Sequence, residues 1–139
     1  RPVLLNQAGS GWNPIESTKY FSNRKVILVT RDPRDQFAEL KQFKKATSVD
    51  EFINWYKEMK RRLKEIDNPN ILILRFEDFV NNYKENLVTL CNHISLNFNV
   101  SSRYEPTLSK KNIGKYHKFL NQKEIDIIEF GLSEYVYNK

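Results

Sequence analysis

Arg31 stands directly after Val26-Ile27-Leu28-Val29-Thr30, a run rich in β-branched residues, and directly before Asp32-Pro33. Asp32 is a good helix N-cap and Pro33 suits the first helical position. The order strand, arginine, helix puts a guanidinium beside unpaired N–H groups and the positive end of a helix dipole. That chemistry is anion binding, above all of phosphate. Arg75 repeats the arrangement after Ile71-Leu72-Ile73-Leu74 and is followed by Phe76-Glu77-Asp78. Other groups are less suggestive. His93 falls at the end of a helical pattern and His117 in a late loop, where structural or surface roles are expected. Cys91 sits in an apolar helical pattern and is expected to be a small buried hydrophobe. No metal is expected.

These groups need elements to hold them. Val3-Leu4-Leu5 reads as a short strand and Asn6 to Pro14, with Gly9 and Gly11, as a loop. Val26 to Thr30 reads as a buried strand, and a helix from Pro33 to about Lys45 carries Phe37, Leu40 and Phe43. Ser48 and Glu51 form a capping box for a long amphipathic helix through Phe52, Ile53, Tyr56, Met59, Leu63 and Ile66. Its Lys57, Lys60, Arg61, Arg62 and Lys64 are expected on the wet face. Asp67-Asn68-Pro69 ends it. After the strand at Ile71–Leu74, one helix carries Val80, Tyr83, Leu87, Leu90, Cys91 and Ile94. A polar loop from about Asn97 to Lys115 leads to a last helix, capped by Asn121 with Glu124 and carrying Ile125, Ile128, Leu132 and Val136. Apolar strands alternating with helices predict an α/β fold with a parallel sheet flanked by helices, and ligands in such sheets sit at the carboxyl ends of strands.

At 139 residues the chain is expected to be one domain, spanning 1–139, with enough apolar content at 40% for a real core. The net charge of +6 suits an anionic ligand. The aromatics lie at core spacing and no glycine-aromatic RNA motif appears, so a nucleic-acid partner is not expected. No apolar run approaches the roughly 18 residues of a membrane span. One cysteine gives no sign of an oxidising compartment, and a cytoplasmic location is expected. The chain opens on Arg1 and runs almost at once into Val3-Leu4-Leu5, as a chain cut inside a fold would.

Three segments, in order, resemble the PAPS-dependent sulfotransferases (PAPS is 3′-phosphoadenosine 5′-phosphosulfate). Val26 to Asp35 is similar to the strand, arginine and helix with which that family holds the 3′-phosphate. Ile71 to Phe79 resembles its apolar strand followed by Tyr-Glu-Asp. Asn112-Ile113-Gly114-Lys115-Tyr116, with Phe119-Leu120-Asn121 and the helix after it, resembles its late glycine loop and closing helix. The resemblance implies a fold of the P-loop-NTPase-like sulfotransferase type, incomplete at its N-terminus. It implies PAPS or adenosine 3′,5′-bisphosphate as the nucleotide and a carbohydrate or small-molecule acceptor. It places Arg31 and Lys110 at the 3′-phosphate with the backbone near Gly114, and Phe76 beside the adenine. Glu39 stands eight positions after Arg31, where the family has a serine, and a carboxylate there repels a phosphate. Glu77 and Asp78 are expected to cap the following helix and hold the late loop.

Two departures bear on activity. The family's Lys-Ser-Gly-Thr-Thr-Trp loop, which wraps the 5′-phosphosulfate, has no counterpart here. Val3-Leu4-Leu5 fits the strand that leads to the family's catalytic base, yet Asn6-Gln7-Ala8-Gly9-Ser10 after it has no His, Glu or Lys. No residue is therefore assigned as catalytic, and the chain alone is expected to be inactive. The alternative is a non-catalytic nucleotide- or protein-binding module of the same fold. An open sheet edge would also allow a homodimer.

Overall fold

The computed structural model describes residues 12–43, 45, 48–97 and 104–138. The expected strand at Val3-Leu4-Leu5 and most of the loop after it lie outside these residues. Pro14–Ser17 makes a single helical turn, α1, beginning at the last residue of the stretch expected to be loop, with the Thr18 hydroxyl donating to the Pro14 carbonyl. Strand β1 is Val26–Thr30, α2 is Pro33–Gln42 and α3 is Val49–Lys64. Strand β2, Ile71–Arg75, pairs with β1 in parallel, Val26 opposite Ile71 and Thr30 opposite Arg75. The α/β architecture with a small parallel sheet flanked by helices is thus the expected one.

The register brings Arg31 and Phe76 out of the sheet side by side. Leu28 and Leu74 are buried and their strand neighbours Val29 and Ile73 exposed; because Leu28 stands opposite Ile73 and Val29 opposite Leu74, the two buried leucines face opposite sides of the sheet. That alternation follows from side chains pointing to opposite faces along a strand.

Later elements depart from expectation in instructive ways. The single helix after β2 is two, α4 at Phe76–Asn81 and α5 at Tyr83–His93. Asn82 breaks the helical path, and the Asn86 amide donates to the Asp78 and Asn82 carbonyls around the break. The region read as polar loop contains a short helix, α6 at Pro106–Lys110, with Pro106 at its start. Helix α2 stops at Gln42 instead of about Lys45, its end closed by the Lys45 N–H on the Leu40 carbonyl. The last helix, α7, spans Gln122–Gly131 with the expected Asn121–Glu124 capping box; Leu132 ends it and Val136 lies beyond. The Ser48–Glu51 box starts α3 as predicted.

The main core lies between α2, α3 and α7, where Phe37, Phe52, Ile53, Tyr56, Ile125, Ile128 and Leu132 interlock. Gly131 lets α7 approach α3 closely, since a Cβ there would stand 2.9 Å from Ile53 Cδ1. Cys91 is buried, as expected. His93 is structural, its Nε2 3.2 Å from the Val26 carbonyl. Trp12 and Trp55 stack on each other at the surface, 6.3 Å between centroids.

Lys60 corrects the reading of the α3 wet face. Its ammonium lies 5.4 Å from the ring centres of both Tyr56 and Tyr135. Burial, with Arg75 adding to it, pushes its pKa down to about 8 from the ordinary 10.5. Between these two pH values the unfolded chain holds a proton that the folded chain has given up. Stability gained from Lys60 therefore rises with pH through that window and is lost as pH falls through about 8. Lys60→Met should show a smaller rise, or a steeper fall, in melting temperature from pH 8 to pH 10 than the wild type. Parallel melting curves in the two proteins would contradict this.

Candidate functional site

The site is built where both strands end. Asp32 caps α2, its Oδ1 accepting the Arg34 N–H at 2.8 Å, and its own N–H donates to Glu77 Oε1 at 2.9 Å. Glu77 is fully buried and also accepts from Arg75 Nε at 3.3 Å. The turn out of β1 is thereby fastened to the turn out of β2. Glu77 does not cap α4, whose N-cap residue Arg75 makes no side-chain cap hydrogen bond. Nor does it bond to the late loop among the described residues.

Asp35 does that instead. Its two carboxylate oxygens accept the Gly114 N–H at 2.8 Å and the Tyr116 N–H at 2.9 Å. One buried side chain of α2 thus fixes a turn 79 residues further on. Gly114 adopts φ 78°, in the left-handed region, which lets the chain reverse there. A Cβ at this position would meet nothing within 4 Å, so its cost is one of backbone conformation alone.

Arg31 lies between these fastenings. Its Nη1 donates to Glu39 Oε2 at 2.8 Å and its Nη2 to the Asn112 carbonyl at 2.7 Å. The guanidinium lies 5.2 Å from the centre of the Phe76 ring. Its Nε is enclosed without a hydrogen-bond partner among the described residues. The Arg31 carbonyl accepts the Tyr56 hydroxyl at 3.0 Å. Burial raises the Tyr56 pKa, against the pull of Arg75, so the phenol remains a donor.

Three of the five residues singled out from the sequence, Arg31, Glu39 and Phe76, therefore meet. The other two flank them on the late loop. Gly114 stands two residues past the Asn112 carbonyl. Lys110 ends α6 with an exposed side chain that makes no ion pair among the described residues. The Glu39 side chain is 53% exposed and that of Arg31 21%. An ion pair so open to water is worth about 1 kcal/mol or less, so a stronger anion can displace the carboxylate.

Sequence reasoning missed the acid–base cluster beside this site. Arg34 is gripped by both Asp32 oxygens, by Glu129 at 2.6 Å and by the Tyr137 carbonyl at 3.1 Å. It stacks 4.4 Å from the Tyr116 ring centre. Burial works against its charge, but Asp32 and Glu129 outweigh burial and raise its pKa. A cleft of ≈ 490 Å³ opens onto Asp32, Arg34, Asp35, Gly114 and His117. The carboxylates and guanidinium lining it are already committed to one another and to backbone groups, and Arg31 does not line it. The only sequence signal for the cluster was the density of charge in Asp32-Pro33-Arg34-Asp35, which first read as a helix start.

A family model described as "Sulfotransferase family" matches residues 17–100, more than half of the chain. The chain belongs to the sulfotransferase family. That span includes both strands, α2 and Arg31; the late loop and α7 lie outside it. No curated protein and no solved structure matches the chain.

The Asp35 clamp has a measurable weight. Asp35→Ala leaves two enclosed N–H groups unpaired and should cost about 3 kcal/mol in a urea melt. Gly114→Ala should cost about 1–2 kcal/mol through its backbone conformation. A loss below about 0.5 kcal/mol for Asp35→Ala would mean that the loop is held by something else.

Proposed function

We propose that these residues form the 3′-phosphate side of a PAPS site, in a protein that transfers a sulfuryl group to a hydroxyl or amine of a carbohydrate or small molecule. The observation that carries the reading is the setting of Arg31. A guanidinium at a strand end lies on an aromatic ring, keeps one enclosed N–H without a partner among the described residues, and has Nη1 on a carboxylate that water already reaches while Nη2 is held by the Asn112 carbonyl. Nη1, once released by Glu39, suits a phosphate oxygen, which binds more strongly than an exposed carboxylate side chain. Phe76 offers a flat face for the adenine. Lys110 and the backbone near Gly114 supply further positive character from the late loop. When bound, PAPS supplies the sulfuryl group. The chain's own residues orient the nucleotide from its far phosphate.

A second reading draws on one specific contact. The Arg31–Glu39 pair is an internal substitute for a ligand, as expected of a module that has kept the fold and given up the transfer.

Melting with adenosine 3′,5′-bisphosphate separates the two. At about 100 times the dissociation constant, ligand binding should stabilise the wild type by about 2.7 kcal/mol. Arg31→Ala should abolish the shift. Glu39→Gln, which removes the competing charge, should tighten binding roughly three- to tenfold. A shift only in Glu39→Gln would support the degenerate module. No shift in either folded protein would contradict the nucleotide reading.

A further inference from the structure

The charge of this chain is unevenly placed. From Pro106 to Lys123 it carries Lys110, Lys111, Lys115, Lys118 and Lys123 and not one acidic residue. The rest of the chain holds 18 basic against 17 acidic residues, so nearly all of the +6 resides in this segment. Many basic side chains elsewhere are paired: Lys41 with Glu124, Arg61 and Arg62 with Glu58, Lys64 with Glu134. None of the five lysines makes an ion pair among the described residues. Four of them are exposed and Lys115 is partly so.

The segment is folded tightly. α6 is followed by turns in which the Asn112 N–H reaches the Ser109 carbonyl and the Ile113 N–H the Lys110 carbonyl. The 3₁₀ turn Lys115–Lys118 then closes with the Leu120 N–H on the Tyr116 carbonyl. The five lysines are thus carried on α6, the turns that follow it and the first turn of α7. Two apolar side chains in the same segment face water, Leu108 at 58% and Phe119 at 39% exposure.

We infer that this segment is a docking surface for an anionic membrane. Two observations favour lipid over a soluble polyanion. Every strong base in the segment is a lysine and none is an arginine. Lysine acts as a point charge toward a diffuse field, whereas arginine's fork reads individual oxyanions. The exposed Leu108 and Phe119 are of no use to a hydrated polyanion, but they insert at an interface between headgroups and acyl chains. Each lysine near an acidic bilayer adds attraction that salt screens. The surface lies on the membrane and does not cross it, and no helix among the described residues is long and apolar enough to span one. The inference does not depend on nucleotide binding.

The test is flotation of the full chain with vesicles of pure phosphatidylcholine and vesicles containing phosphatidylglycerol, at 0.05 and 0.5 M salt (roughly 14 and 4 Å of Debye length). Dextran sulfate serves as a soluble polyanion in parallel. The wild type should float with the acidic vesicles at low salt only. Lys115→Gln/Lys118→Gln/Lys123→Gln should lose at least tenfold in vesicle affinity while melting like the wild type. Leu108→Ser, alone or with Phe119→Ser, should weaken vesicle binding severalfold and leave dextran sulfate binding unchanged. If Phe119→Ser does not fold, Leu108→Ser alone decides. Three results would overturn the inference: equal binding to neutral vesicles, binding to dextran sulfate but not to acidic vesicles, or a lysine variant that floats like the wild type.

Discussion

The hydrogen bond from the Asp32 N–H to the Glu77 carboxylate is the constraint on which the site depends. Glu77 has no exposed surface, so its charge has to be met inside the protein. It is met by a backbone N–H from the end of β1 and by Arg75 from the end of β2. Such a contact forms only if the strands pair in the observed register. Breaking it by removing one partner would leave a buried charge uncompensated, typically at about 3–5 kcal/mol. The parallel pair, the turn into α2 and the start of α4 are therefore fixed together.

Arg31 follows from that arrangement. It is the residue between the last position of β1 and the capped start of α2, so its direction is set by neighbours on both sides. Tyr56 holds its carbonyl from α3, Phe76 supports its guanidinium from the end of β2, and Asn112 reaches it from the late loop. Asp35 in turn fixes that loop from the first turn of α2. Of these partners Glu39 is the exposed one, while Phe76 and Asn112 are partly buried and Tyr56 is buried. The guanidinium is thus oriented by the enclosed contacts and left exchangeable at the exposed one, which is what an anion site requires.

Local signals carried most of the fold. The strand ending at Arg31, the Asp32-Pro33 helix start and both capping boxes involve residues within a few positions of one another, so their chemistry is visible in the chain. The family resemblance put Glu39 near Arg31 only as a carboxylate that repels a phosphate; its ion pair with Arg31 was not foreseen, and Asp32 or Glu77 were the more obvious partners. What the sequence hid was long-range. Nothing near Asp35 shows that its carboxylate will meet Gly114 and Tyr116, and Glu77 was the more obvious candidate for that loop. The break at Asn82 depends on the Asn86 amide folding back. Lys60 reads as a solvated lysine until Tyr135 arrives from the far end of the chain to enclose it. In each case a distant partner, not local propensity, decides the outcome.

The most direct measurement is the Arg31 Nε–Hε resonance, followed by nitrogen–proton NMR as adenosine 3′,5′-bisphosphate is added. Ligand binding at Arg31 predicts that this resonance moves together with the Phe76 ring protons and the Asn112 and Gly114 amides, and that the Phe76, Asn112 and Gly114 signals are unmoved in Arg31→Ala. Shifts confined to the cleft around Arg34 and His117, with Arg31 still, would contradict it.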